Sequence, residues 1–344
     1  MGLNLCERIA GELKAEIKSG RYRAHDKFYS EKQLSTRFGC NDATVRKAVD
    51  RLVASGLLYK KPSSGTFVAP DRKNRLILLV MPGKDDTLLR HCYTGDLMNS
   101  PYRFYEIPER EYLSCVEDIE LFFPEICGVF FFRDPRWIRD SFKLLDQKNI
   151  ISGFYGSSVH EKLFADRLAL FYNERDVVEL AMRHLWQQGC RNIGCLGGGN
   201  WAATLERQRH YLLWMQKMRR LPDPELIIDI PLGDERYRNI GYLTELLREQ
   251  KGKVDAFFCV ADDGAALLLQ AAFRAGLEVP RQLKVIGVND SPICELIEPG
   301  ISAVHIPIPE DCLKLIGEMI NKIENRPFET KLTSGISFVR RGSA

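Results

Sequence analysis

Two folds are predicted in one chain: an α+β winged helix-turn-helix head over residues 1–68, and an α/β body of two doubly wound lobes over residues 76–344. Three observations predict them. The 344 residues exceed what one core holds, since single cores stop growing near ~250–300 residues. Residues 1–75 carry 16 Lys/Arg against 8 Asp/Glu, whereas residues 76–344 carry 33 against 38. The apolar pattern also changes along the chain, from short helical stripes in the head to strand-like runs alternating with helical periodicity in the body.

A head this basic places counterion-releasing charge where a polyanion would lie, so double-stranded DNA is its expected partner. The slightly acidic body implies no such partner. The N-terminal twenty residues are charged throughout and lack the apolar core of a secretory signal. No run approaches the ~18 apolar residues of a membrane span, so a soluble, cytoplasmic protein with no membrane partner is expected. Ten scattered cysteines contain no C-x-x-C pair and no histidines at zinc-like spacing. Reduced, mostly buried thiols follow, and neither a metal nor a cofactor is expected.

In the head, Leu5, Ile9, Leu13 and Ile17 recur every four residues and form one helical stripe that stops at Ser19-Gly20. Ser30 is placed to cap a second helix running to about Phe38, with Gly39 as its left-handed stop. Asn41 caps a third, whose buried stripe is Val45, Ala48, Val49, Leu52 and Val53, leaving Asp42, Thr44, Arg46, Lys47 and Arg51 outward. The segment GLLYKKPSSGTFVAP then reads as strand, turn and strand, with Lys60 and Lys61 beside a turn at Pro62 to Gly65. An α-helix fits the major groove, which makes Asn41, Thr44 and Arg46 candidates for base edges and the basic hairpin a candidate for backbone contact.

Residues 28–68 resemble the GntR-type winged helix nearly end to end. The shared pattern includes Ser30, Glu31, Leu34, Phe38, Gly39, Thr44, Val45, Arg46, Ala48, Leu52, Gly56, Leu57, Leu58, Gly65, Thr66, Phe67 and Val68. The resemblance implies DNA contact by Ser30, Lys32, Asn41, Thr44, Arg46, Lys47, Lys60, Lys61, Gly65 and Thr66. Three positions depart from the pattern: Lys32 replaces an arginine, Tyr29 a proline, and Asp42 an arginine that usually touches base or phosphate. Asp42 could accept from a cytosine amino group, or cap the recognition helix and touch no DNA.

After a polar linker at 69–75, apolar runs at 76–81, 128–132, 192–196, 226–230, 256–260 and 284–288 alternate with helical stretches, as parallel sheets covered on both faces require. HLWQQGCRNIGCLGG, ERQRHYLLWM, DAFFCVADDGAA, GLEVPRQLKVIGVNDS and ISFVRRGS resemble, in order and spacing, segments of the LacI/GalR-type effector domain, a type I periplasmic-binding-protein-like fold. That resemblance covers about 172–341 and implies a lobe 1 at about 76–172 and 303–328 and a lobe 2 at about 173–302 and 329–344. It further implies a homodimer, a sugar-like effector between the lobes, and a repressor of arabinose-repressor-like build. Arg207, Asp262 and Asn289 are the effector-contacting positions implied. The family usually carries Asn where this chain has Asp262 and Asp where it has Asn289, so the amide and carboxylate stand exchanged. Trp201, after Gly197-Gly198-Gly199-Asn200, could stack on a sugar's apolar face or simply pack. The segment from Pro82 to Pro101 reads as an abbreviated part of lobe 1, which leaves a body that ignores ligand as an alternative.

An enzyme is a further alternative, because GGGNWA at 197–202 formally fits a dinucleotide-binding fingerprint. Against it, the nearest strand-end acid, Asp229, lies about 30 residues on rather than ~20, and the six histidines pair with no nucleophile in the sequence.

Overall fold

The head folds where its caps stand. The computed structural model describes residues 5–19, 21–23, 25–61, 64–69, 76–81, 100–132, 138–164, 166–199, 202–230 and 239–344. Helix α1 spans Leu5–Lys18, α2 Glu31–Phe38 and α3 Asp42–Ala54. Ser30 and Gln33 form a reciprocal capping box on α2, Gly39 ends it at φ 60°, and the Asn41 side chain accepts from Thr44 N at the start of α3. Ile9 and Leu13 bury against Leu34, Val45, Ala48, Val49 and Leu52. The predicted stripe is corrected at one end: Leu5 is exposed and Cys6 is buried instead.

Strands β1 (Leu58–Lys61) and β2 (Gly65–Val68) pair antiparallel from Leu58↔Val68 to Lys61↔Gly65. Pro62 and Ser63 of the expected turn lie outside the described residues. Residues 25–28, read from sequence as plain loop, run along β2: His25 N donates to Val68 O and Phe28 N to Thr66 O, both at 2.8 Å. Ala69, assigned to the linker, still belongs to the wing, its N–H bonded to Leu57 O; the rest of the linker is outside the described residues.

The body holds two six-stranded sheets. Lobe 1 orders β4 (Arg103–Pro108), β3 (Leu76–Met81), β5 (Ile126–Phe132), β6 (Ile151–Ser157), β7 (Leu168–Tyr172) and β13 (Lys331–Thr333), all parallel. Lobe 2 orders β9 (Ile227–Ile230), β8 (Ile193–Gly198), β10 (Ala256–Cys259), β11 (Lys284–Asn289), β12 (Ser302–His305) and an antiparallel β14 (Ser337–Val339). Each sheet is therefore wound outward in both directions from an inner first strand, which leaves a crevice at the carboxyl ends beside that strand. Helices on the body run in chain order as α4 (Glu109–Cys115), α5 (Ile119–Phe122), α6 (Ile138–Gln147), α7 (Glu174–Gln187), α8 (Ala202–Lys217), α9 (Ile240–Glu249), α10 (Asp262–Arg274), α11 (Ile293–Leu296) and α12 (Ile308–Ile323).

The chain crosses between lobes after β7, between β12 and α12, and between β13 and β14. This corrects the expected lobe limits: β12 lies in the second sheet although 303 onward was assigned to lobe 1, and β13 lies in the first although 329 onward was assigned to lobe 2. The closing Arg341-Gly342-Ser343 is a fastener. Ser343 Oγ donates to Val285 O at 2.6 Å and accepts from Ser302 N at 2.8 Å, while Arg341 donates to Asp290 at 2.5 Å and to Ile301 O at 3.0 Å. Among the described residues no helix is long and apolar enough to cross a membrane.

One carboxylate organises the head's flank. Glu16 accepts from Arg37 at 2.8 Å, Arg21 at 2.9 Å, and the hydroxyls of Tyr22 and Tyr29 at 3.1 Å. This also accounts for Tyr29 in place of proline. Burial alone would raise the Glu16 pKa, but the hydrogen bonds from Arg37, Tyr29 and Tyr22 outweigh it and hold the carboxyl below its ordinary value. A depressed carboxylate stabilises the fold above its unfolded pKa, and that contribution is lost as pH falls through the folded value. Glu16→Gln is expected to cost about 1–3 kcal/mol in urea unfolding at pH 7 and much less near pH 3. An equal cost at both pH values would contradict the ionic origin.

Candidate DNA-binding face and interlobe cleft

On the head, the outward side of α3 is lined by exposed Asp42, Arg46, Lys47, Asp50 and Arg51. Arg46 Nε donates to Glu31 at 3.0 Å, and Lys60 Nζ reaches Asp50 at 2.8 Å and Glu31 at 3.8 Å. The start of α2, the middle of α3 and the first wing strand thus meet through a ladder of alternating charge. Its members are exposed, Arg46 by 61 %, so each pair contributes little and exchanges readily for a phosphate. Hydrogen bonding to Glu31 raises the Arg46 pKa further, keeping it charged at every working pH.

Of the other sequence candidates, Lys32 and Lys47 are exposed; Ser30 and Asn41 are exposed too, with their side chains engaged as caps. The Thr44 hydroxyl donates to Asn41 Oδ1 at 2.8 Å. Asp42 opens α3 and takes a hydrogen bond from the Ser35 hydroxyl, tying the two helices of the motif together. Lys61 lies over the rings of Tyr59 and Phe67 at 5.8 and 5.5 Å, beside exposed Gly65 at φ +116° and half-buried Thr66. Sequence reasoning missed Glu31 and Asp50 as partners of the cations, although Glu31 directly follows the Ser30 cap.

In the body, Arg207 extends from α8 into the junction of the lobes and is 3 % exposed. Its Nε donates to Glu174 at 2.6 Å and its Nη1 to Val260 O at 2.8 Å, and the guanidinium carbon lies 6.0 Å from the centre of the Tyr172 ring. Glu174 is the first residue of α7, immediately after the chain leaves lobe 1. Burial pushes its carboxyl up, while Arg207 and the Ser157 hydroxyl pull it back toward the ionised form. Ser157 and Tyr172 end two neighbouring strands of lobe 1, so this pair joins groups from both lobes. On the same strand ends, Phe132 stacks on Tyr155 at 5.5 Å and Tyr155 adjoins Tyr172 at 5.8 Å.

Asp262, at the start of α10, is 2 % exposed and accepts from Ser291 N at 2.7 Å and Ser291 Oγ at 2.8 Å. Its other oxygen packs on Gly287, where an added Cβ would stand 2.5 Å away. Burial lifts the carboxyl to about 6 against the Ser291 hydrogen bonds. Asn289 and Asp290 follow with φ of 107° and 60°, a strained pair of non-glycine residues at a strand end. Asn289 is half-buried opposite His305, and Asp290 takes Arg341 at 2.5 Å and His305 at 3.1 Å. The structure therefore brings Arg207 to Glu174 and Asp262 to Ser291, while Trp201 lies outside the described residues. Glu174, Ser157 and Tyr172 were not found from sequence. No grouping of three potential metal ligands occurs among the described residues.

Comparison with known proteins agrees with this division. Residues 5–68 match the model of bacterial regulatory proteins of the gntR family, and residues 182–344 that of the periplasmic binding protein-like domain. The chain thus joins a gntR-type DNA-binding head to a periplasmic binding protein-like body, the build of a transcription regulator. An arabinose metabolism transcriptional repressor from Halalkalibacterium halodurans is 21 % identical over 90 % of this chain and 87 % of its own. A transcription regulator GntR from Chromobacterium violaceum superposes with a TM-score of 0.66 at 21 % identity, over 78 % of this chain and 99 % of that one. A transcriptional regulator CelR–cellobiose complex does so at 0.63 and 17 %, over 92 % and 100 %. These relatives are named as transcription regulators.

Removing one partner of a buried pair strands the other's charge, at a cost of about 3–5 kcal/mol. Arg207→Ala is expected to lose that much stability, and Arg207→Met with Glu174→Gln to recover most of it; a double variant as unstable as the single would show that Glu174 is not the partner that matters. For Asp262, a folded pKa raised to about 6 from 3.8 means that the stability the protonated form confers is full below pH 4 and lost as pH rises through 6. Asp262→Asn should therefore gain on the wild type by on the order of 2 kcal/mol between pH 4 and 7.5. Parallel melting curves across that range would contradict it.

Proposed function

We propose that the protein represses transcription by binding an operator as a homodimer, and that a sugar or related polyol held between its lobes controls that binding. The observation that carries the DNA half is the exposed Arg46–Glu31–Lys60 ladder across α2, α3 and the wing, cations placed for a groove and restrained only by surface carboxylates. The relatives named for arabinose metabolism and for a cellobiose complex support a sugar. Arg207, a fork that donates to paired hydroxyls, is the effector contact of choice, and Asp262, Asn289 and Trp201 are the further contacts that the resemblance implies. Phe273 and Leu296, 80 % and 81 % exposed on lobe 2, support a subunit contact there. Effector acts by binding one arrangement of the lobes more tightly than the other, which shifts the spacing of the two heads.

A second reading, a DNA-binding protein whose body ignores ligands, is favoured by the internal satisfaction of Arg207, whose Nε, Nη1 and Nη2 are all engaged by Glu174 and Val260 O.

Selecting binding sequences from a random DNA pool, followed by a thermal-shift screen against sugars, sugar acids and sugar phosphates, tests both. An inverted repeat recovered by the wild type and not by Arg46→Ala is expected, together with a melting shift from at least one sugar, since ligand at a hundredfold excess over its Kd stabilises by about 2.7 kcal/mol. Specific DNA without any ligand shift would select the second reading, and the absence of sequence enrichment would sink both.

A further inference from the structure

Head and body meet at Glu324. This residue caps the C-terminal end of α12, where the helix carbonyls already repel negative charge, yet its side chain is only 3 % exposed. A carboxylate so placed needs donors. Within the body, the Tyr102 hydroxyl donates at 3.0 Å and Arg326 pairs with it. From the head comes His25, whose Nε2 pairs with Glu324 while its Nδ1 meets the Tyr59 hydroxyl at 2.5 Å. Lys61, next but one to Tyr59 on β1, adds positive charge toward the carboxylate.

His25 cannot travel alone. It holds φ 66°, its N–H is bonded to Val68 O in the wing, and its ring stands edge-on to Tyr59, which stacks on Phe67 at 5.7 Å. The seat is equally firm: α12 packs on β5, β6 and β7 and carries, one turn from its other end, the buried Asp311. A single helix of about 24 Å thus runs from the cleft side of lobe 1 to the head. With the head seated, Asp42, Arg46, Lys47, Asp50 and Arg51 of α3 all remain exposed.

We propose that the His25–Glu324 contact is a docking joint by which lobe 1 sets the direction of the DNA-binding head, with His25 the positioning residue on the head and α12 the rod that carries lobe movement to it. The joint orients α3 without masking it. This rests on the DNA-binding reading above for its purpose but not for its existence.

The test is a double-mutant cycle on thermal unfolding of the full chain with His25→Gln, Glu324→Gln and both. Each single change is expected to lower the melting midpoint by about 3 °C and the pair to lower it no further, the signature of direct coupling. Additive shifts would overturn the joint. If Glu324→Gln does not fold, Tyr102→Phe takes its place in the cycle with the same expectation. With the pool-selected DNA, His25→Gln should bind about tenfold more weakly; unchanged or tighter binding would overturn the orienting role. Because the melting cycle uses no DNA, failure of the joint is read separately from failure of the DNA-binding reading.

Discussion

A guanidinium withdrawn from water at the junction of two lobes imposes its own surroundings. Arg207 needs a carboxylate, a carbonyl and a polarisable face, and the chain supplies Glu174, Val260 O and Tyr172 from three separate elements. The position of Glu174 is itself economical in physical terms, because the start of α7 favours negative charge and is the first point reached after the crossing from lobe 1. Ser157 extends the network to a second strand of lobe 1. The order of β6, β7, α7, α8 and β10 around this point is what lets one ion pair register both sheets.

The head obeys a different rule. Its Arg46, Lys60, Glu31 and Asp50 stay in water, where pairing is worth a fraction of a kcal/mol and reversal is fast. Strength is concentrated instead on the flank at Glu16 and in the caps at Ser30 and Asn41. A rigid frame with a loosely neutralised outer row suits a surface that must trade carboxylates for phosphates, while the buried pair of the cleft suits a surface that changes partners only for a ligand able to replace what it displaces.

How much of this was legible follows from where the signals are local. Caps and stops act within four residues, so α2, α3 and the wing could be read almost to the residue. Continuous aliphatic runs revealed β3, β5, β8, β10 and β11. Strand β6, ISGFYGS, was invisible because its small residues answer to tertiary packing: a Cβ on Gly153 would stand 2.5 Å from the Met319 sulfur of α12. The lobe limits slipped for a related reason, since β12, β13 and β14 are three or four residues long and take their sheet from their neighbours. The resemblance singled out Arg207 and Asp262, but their partners Glu174 and Ser291 are 33 and 29 residues distant, and His25 and Glu324 are 299 apart. Such pairings obey no period that a sequence can display.

The threefold crossing between lobes has a mechanical meaning. One strand between two bodies would act as a swivel and two as a hinge pin with play, whereas three side by side resist twisting and leave bending about a single line as the soft motion. A relative movement of the lobes would then be confined to rotation about one axis. A linkage with one degree of freedom transmits direction as well as energy.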